Sequence, residues 1–308
     1  MELLNLGSKL AAETVYDAFI AALGFESRAV AVAESVPFEA RRKFAFGFDH
    51  NQVLAHDRNL EWFRSNRFEV WPGLDATDFA LAVKDLVEAS APLGPLRIAI
   101  DISCFDRQRL AVVVDACWRA SLTRPVQVDF AYCIAAFRKP SSSSGRNEFA
   151  GPVHRSFAGR FIDPGRPLAM VAGLGYELGK VVGAAEYLQA SRVIALFPES
   201  PVHEYEPEVT EANRLLFDDL KASDVVRYPV DDCRKTVATL DAIVRGLRDS
   251  HNVVLLPGGP KIFVLASLLA QRLHRHASVW RVSSGASITA RDVQSSGHFV
   301  TASLRLGC

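Results

Sequence analysis

Val253-Val-Leu-Leu-Pro-Gly-Gly-Pro-Lys261 is an apolar run that ends in two glycines and a lysine, then enters a helix-like stretch. Gly258 and Gly259 carry no Cβ, so the backbone there can approach an anion closely. The start of a helix adds backbone N–H groups and the positive end of a dipole. Lys261 adds a mobile charge at the same mouth. Together these are the ingredients of a phosphate site. The plainer alternative is a strand-to-helix turn with a solvated lysine. The spacing is not that of a P-loop, because Gly-x-x-x-x-Gly-Lys-[Ser/Thr] is missing.

Other polar turns follow apolar runs. In Ile100-Asp-Ile-Ser-Cys-Phe-Asp-Arg107, Asp101 could accept ribose hydroxyls or act as a base. Ser103 or Asp106 could cap the next helix, and Arg107 stands where Lys261 stands in the later segment. An ordinary N-cap with a surface ion pair is the structural alternative. Gly24-Phe-Glu-Ser-Arg28 and Gly175-Tyr-Glu177 form a matched pair, with Glu26 and Glu177 as partners for ribose or base donors. A glutamate at a helix start also complements the dipole, so a purely structural role competes. Arg28 has no basic counterpart at Gly179, although Lys180 is adjacent. Ser283 and Ser284, after Val282, could hydrogen-bond a base or a phosphate. Asp49-His-Asn51 and Pro198-Glu-Ser200 are further polar strand ends, read more simply as loop chemistry. A Gly-x-Ser-x-Gly elbow and a Gly-x-Gly-x-x-Gly fingerprint are both missing, which disfavours NAD-dependent hydride transfer. The scattered His and Cys residues predict no metal, and no cofactor is expected.

The elements that must position these turns are written twice, at a period of about 150 residues. Phe19 to Glu26 is answered by Met170 to Glu177, and Lys43 to Phe48 by Arg192 to Phe197. Phe68-Glu-Val-Trp-Pro72 is answered by Val225-Val-Arg-Tyr-Pro229, with Asp75 and Asp231 close behind. Asn59 and Asn213 each precede a helical stretch. Leu96 to Ile100 is answered by Val253 to Leu256, and each leads to a long helix, 107–120 and 262–275. A last strand closes each half, 126–137 and 278–283. Short all-apolar runs alternating with helices are the signature of buried parallel strands. The predicted fold is therefore α/β, as two tandem Rossmann-like, doubly wound parallel-sheet units related by internal duplication. The expected boundaries are repeat 1 over 1–137, a Ser-rich linker and connector over 138–168, and repeat 2 over 169–308 with a C-terminal edge segment.

A strand followed by Gly-Gly-x-Lys and a long apolar helix resembles the Thr-Gly-Gly-Thr-Lys segment of some CARF domains. These are Rossmann-like sensors of cyclic oligoadenylate in CRISPR systems. The tandem arrangement is similar to that of the related SAVED domains of antiphage systems. The resemblance covers Gly258, Gly259 and Lys261, and departs from the family at Pro257 and Pro260. It implies a nucleotide-binding sensor in antiviral signalling, with a cyclic oligonucleotide as ligand. The signal would pass to an effector partner or to self-assembly. An enzyme acting on a nucleotide or sugar phosphate through Asp101, Asp106 and Glu177 is the rival reading. A non-catalytic assembly subunit is the third.

Composition agrees with a globular chain. Its 308 residues are 49% hydrophobic and 23% charged. Lys plus Arg and Asp plus Glu both number 35, so overall charge gives no grip on duplex DNA or an anionic membrane. No apolar run is long enough to span a bilayer, and Glu2, Glu13 and Asp17 do not suit a secretory signal. Five cysteines without C-x-x-C spacing point to a reducing cytoplasm.

Overall fold

The computed structural model describes residues 1–11, 14–89, 94–139, 148–160, 163–283 and 290–307. It divides into two units, Met1–Ala136 with Ala290–Cys308, and Phe137–Thr289. The first unit runs β1 (Glu2–Gly7), β2 (Val15–Leu23), α1 (Ala31–Ser35), β3 (Glu39–Phe48), α2 (His56–Ser65) and β4 (Glu69–Leu74). It continues with α3 (Ala76–Ala89), β5 (Leu96–Asp101), α4 (Arg107–Ala120) and β6 (Val126–Ala135). The second unit runs β7 (Phe149–Pro152), β8 (Leu168–Gly173), α5 (Lys180–Tyr187), β9 (Arg192–Glu199), α6 (Tyr205–Ala212) and α7 (Arg214–Asp219). Then come β10 (Val225–Pro229), α8 (Cys233–Leu247), β11 (Asn252–Leu256), α9 (Lys261–Leu273) and β12 (Ser278–Ser283). The last strand, β13 (Ser295–Leu306), returns to the first unit.

The first sheet has the order β1-β13-β6-β5-β2-β3-β4, and the second β10-β9-β8-β11-β12-β7. Strands β2 to β6 are parallel in one, and β8 to β12 in the other. In each, the first parallel strand lies between the second and the fourth, so both units share one Rossmann-like strand order. The switch point falls between β2 and β5 in the first unit and between β8 and β11 in the second. There the chain leaves for opposite faces of the sheet and opens a crevice beyond the carboxyl ends of the strands.

Both faces of each sheet are covered. In the first unit Phe19, Ala21 and Leu23 pack with Val32 and Phe63 on the α1–α2 side. Phe46 meets Phe79 of α3 on the other, 5.5 Å apart. In the second, Met170, Ala172 and Phe197 pack with Val181, Val209 and Leu216 of α5 to α7. Tyr228 meets Phe263 of α9 on the opposite side, 4.8 Å apart. Ile262 through Arg272 of α9 are all buried, which explains why its sequence is apolar nearly all round.

Two expectations are corrected. The C-terminal segment, placed with repeat 2 as an edge strand, is antiparallel but lies inside the first sheet, between β1 and β6. Its two faces are both buried: Val300, Ala302 and Leu304 on one, Thr301 and Ser303 on the other. Ser303 Oγ and Tyr16 OH each donate to the wholly buried Asp129 at 2.5 Å, tying β13 and β2 to β6. The connector 138–168 contributes β7, which pairs antiparallel with β12 through Phe149↔Ser283 and Gly151↔Arg281. Each unit is thus a parallel five-strand core extended by antiparallel strands.

Candidate functional site

At the switch point of the second unit, the loop after β8 and the loop after β11 touch backbone to backbone. A Cβ at Gly258 would lie 2.3 Å from Gly173 O, and one at Gly259 2.2 Å from Leu174 O. Gly259 also has φ +68°, in the left-handed region. A Cβ at Gly175 would fall 3.1 Å from Gly259 N, and one at Gly173 2.4 Å from the Phe263 ring. The glycine pair therefore has a reason beyond the expected one: it admits the carbonyls of the neighbouring loop. Asn213, buried, fixes that loop by donating from Nδ2 to Gly175 O at 2.7 Å and to Val209 O at 2.8 Å.

Lys261 is the first residue of α9, which starts one residue before the expected 262. Pro260 is the N-cap, makes no side-chain cap, and the first turn holds no acidic residue. The Pro257 ring is buried, while Gly258 to Lys261 are half-buried. Glu177, 43% exposed, takes Lys180 Nζ at 3.0 Å, and its Oε2 lies over Gly175. Ser283 ends β12, where its carbonyl accepts from Glu148 N. Ser284 lies outside the described residues.

The corresponding mouth of the first unit is occupied by the protein itself. Arg107 begins α4 as Lys261 begins α9, but Asp106 caps α4, accepting from Arg109 N at 2.7 Å. Ser103 does not cap the helix: its Oγ accepts from Cys133 N at 2.8 Å, and the residue is wholly buried. Asp101 is 2% exposed and accepts from Ser103 N at 2.9 Å. Burial pushes its carboxyl up to about 6, against the pull of the Ser103 hydrogen bonds and of Arg28.

Arg28 is 7% exposed and donates from Nε to Glu26 Oε2 at 2.6 Å and from Nη1 to Cys133 O at 2.9 Å. Burial opposes its charge, but the Glu26 carboxylate wins and holds the guanidinium above its ordinary range. The turn is closed from the C-terminal segment. Ser27 N and Oγ donate to Asp292 at 2.6 and 2.5 Å, and Arg28 N donates to Val293 O at 3.1 Å. Asn59 lies inside α2, not before it, and matches Asn213: its Nδ2 donates to Gly24 O at 2.9 Å and Glu26 O at 2.8 Å.

No protein-family model and no curated protein matches the chain. Among solved structures the chain is similar to Can2 from Sulfobacillus thermosulfidooxidans in complex with cyclic tetra-adenylate, with 21% identity and a TM-score of 0.29. That match covers 38% of this chain and 32% of the other, about a third of Can2's length. It is also similar to the cytoplasmic domain of a prokaryotic cation chloride cotransporter, with 8% identity, coverage of 89% and 98%, and a TM-score of 0.24. Likenesses of this size assign the chain neither family nor ligand.

The geometry separates the sequence candidates into two groups. Gly258, Gly259 and Glu177 lie about the contact between the loops after β8 and β11, and Lys261 starts α9 two residues on from Gly259. Glu26, Arg28, Asp101 and Ser103 meet at the mouth of the first unit and are engaged with one another or with nearby backbone. Asp101 and Asp106, two of the three carboxylates of the enzyme reading, are respectively buried and committed to a helix cap. The matched asparagines and Asp292 carry structural weight that sequence reasoning did not assign. The equivalent positions of Asn59 and Asn213 were the available signal. Among the described residues, no helix is long and apolar enough to cross a membrane.

Proposed function

We propose that the chain is a nucleotide-binding sensor whose ligand places a phosphate at the β8–β11 mouth of the second unit. One observation carries this reading. The first turn of α9 has a proline N-cap and no carboxylate of its own, whereas its counterpart α4 is capped by Asp106. A helix start leaves backbone N–H groups without intrahelical partners and carries a partial positive charge. In α4 a protein carboxylate answers both; at the α9 start the dipole and the charge of Lys261 both favour an anionic ligand group. Glu177, over Gly175, suits a ribose hydroxyl donor.

The finer reading, a cyclic oligonucleotide in antiphage signalling with a partner protein as recipient, rests on the sequence resemblance at Gly258, Gly259 and Lys261. A cytoplasmic location is part of the same proposal. Cys117, Cys133 and Cys233 are buried unpaired thiols, which suits a reducing compartment.

Calorimetric titration with ATP, AMP and cyclic tetra-adenylate tests the reading. At least one is expected to bind the wild type, and Lys261→Ala is expected to weaken it by about tenfold to a hundredfold, as for loss of a charged hydrogen bond. Unchanged affinity in the variant contradicts the proposal.

A further inference from the structure

Asn213 stands at the junction of α6 and α7, and its backbone is committed on both sides. Its N–H donates to Val209 O at 3.2 Å, ending α6, and its carbonyl accepts from Phe217 N of α7 at 3.0 Å. The residue is 5% exposed, so packing fixes the side chain as well. A side-chain amide carries two N–H protons, one for Val209 O and one for Gly175 O. The first contact anchors the amide to its own helix. The second reaches 38 residues back, to the loop after β8.

The glycine turn rests on that loop. Leu174 O is the atom that a Cβ at Gly259 would strike, and Gly175 Cα would lie 3.6 Å from the same Cβ. Gly259 takes its φ of +68° against this wall. Residues 174 and 175 therefore set the direction of the Gly259 N–H and of those that follow it into α9. A looser hold on Gly175 lets the wall move, and the N–H groups move with it. Hydrogen bonds weaken steeply with angle, so an anion held by backbone N–H groups feels such a shift. The first unit has the same device beside a helix already capped by Asp106. Asn59, wholly buried, donates to Gly24 O and Glu26 O. That loop has further ties, from Ser27 to Asp292 and from Arg28 N to Val293 O.

We infer that Asn213 is a positioning residue of the phosphate site, acting through Gly175 and Gly259 to set affinity without touching the ligand. This rests on the reading of the α9 start given above and adds the residue outside the mouth that controls it.

The test titrates ATP, AMP and cyclic tetra-adenylate by calorimetry into wild type, Asn213→Asp, Asn213→Ala, Asn59→Ala and Lys261→Ala. Each is measured at a temperature where thermal unfolding shows it folded. Asn213→Asp keeps the shape and turns the donor into a carboxylate facing two carbonyl oxygens. At pH 8 it is expected to bind the nucleotide about tenfold more weakly than wild type, as for loss of one hydrogen bond. Towards pH 5 the carboxyl takes up a proton and donates again, so its affinity recovers relative to wild type at the same pH. Asn213→Ala stays weakened at both pH values, and Asn59→Ala loses stability but keeps wild-type affinity. If Asn213→Ala does not fold, the acid recovery of Asn213→Asp still decides. Folded Asn213 variants with wild-type affinity overturn the inference, as do equal losses from Asn59→Ala and Asn213→Ala, or an Asn213→Asp defect that persists at pH 5. If only Lys261→Ala weakens binding, the phosphate site stands without this inference. If no nucleotide binds wild type, both fall.

Discussion

Gly259→Ala is expected to destabilise the protein by about 3 kcal/mol or more, through backbone strain and overpacking together. Its Cβ would lie 2.2 Å from Leu174 O, and a carbonyl oxygen in the loop after β8 has no rotamer by which to withdraw. The loop is held from beneath by Asn213, so a shift at Leu174 also strains the hydrogen bond to Gly175. The alanine must in addition adopt φ +68°, which L-residues rarely do. Gly246→Ala serves as the control. Nothing lies within 4 Å of a Cβ there, and the residue is inside α8. That substitution is expected to be neutral or to stabilise by about 0.5–1 kcal/mol. Urea unfolding of the two variants checks the pair. Similar midpoints would contradict the packing of the two loops.

The stability of the protein is expected to fall as pH rises from about 4 to about 6, on account of Asp101, and Asp101→Asn should abolish that component. The folded state holds the Asp101 proton up to about 6, whereas an unfolded aspartate releases it near its ordinary value. Between the two the folded chain binds more protons than the unfolded one, so stability declines with pH. The decline is complete above about 6. Its size is about 3 kcal/mol, at 1.36 kcal/mol for each pH unit of difference. Below about 4 the wild type and Asp101→Asn should therefore differ little, and at pH 7 the variant should be the more stable. Urea midpoints at intervals between pH 4 and 7 measure this. Parallel profiles for the two proteins would show that the carboxylate is not desolvated.

The strands and helices were legible because their signals are local. An all-apolar run such as Val253 to Leu256 is a buried parallel strand, and the helices starting at Arg107 and Lys261 begin where the polar turns end. The repeated order of those signals also gave the shared strand order of the two sheets. What the sequence did not disclose is long-range. The segment 295–306 could join either sheet on its own pattern, and a buried partner, Asp129 opposite Ser303, fixes the choice. β1 is half-exposed, and its residues give no strong periodicity.

The site was legible by residue type and not by burial. Asp101, Ser103 and Arg28 have the chemistry of ligand contacts, but the C-terminal segment and the Glu26 carboxylate close over that turn. The glycines at 258 and 259 were found for their closeness to a helix start. Their contact with Gly173 and Leu174 depends on a loop some 80 residues away in the chain. The difference between an α4 capped by Asp106 and an α9 without a carboxylate was present in the sequence as Phe-Asp-Arg107 against Gly-Pro-Lys261. It became informative once the two helices proved to be counterparts.

A crystal structure of the protein soaked with AMP tests the central claim most directly. The account predicts the phosphate against the 258–262 backbone at the start of α9, within reach of Lys261. Nucleotide ordered around Glu26 and Arg28, with the α9 start unvisited, would contradict it.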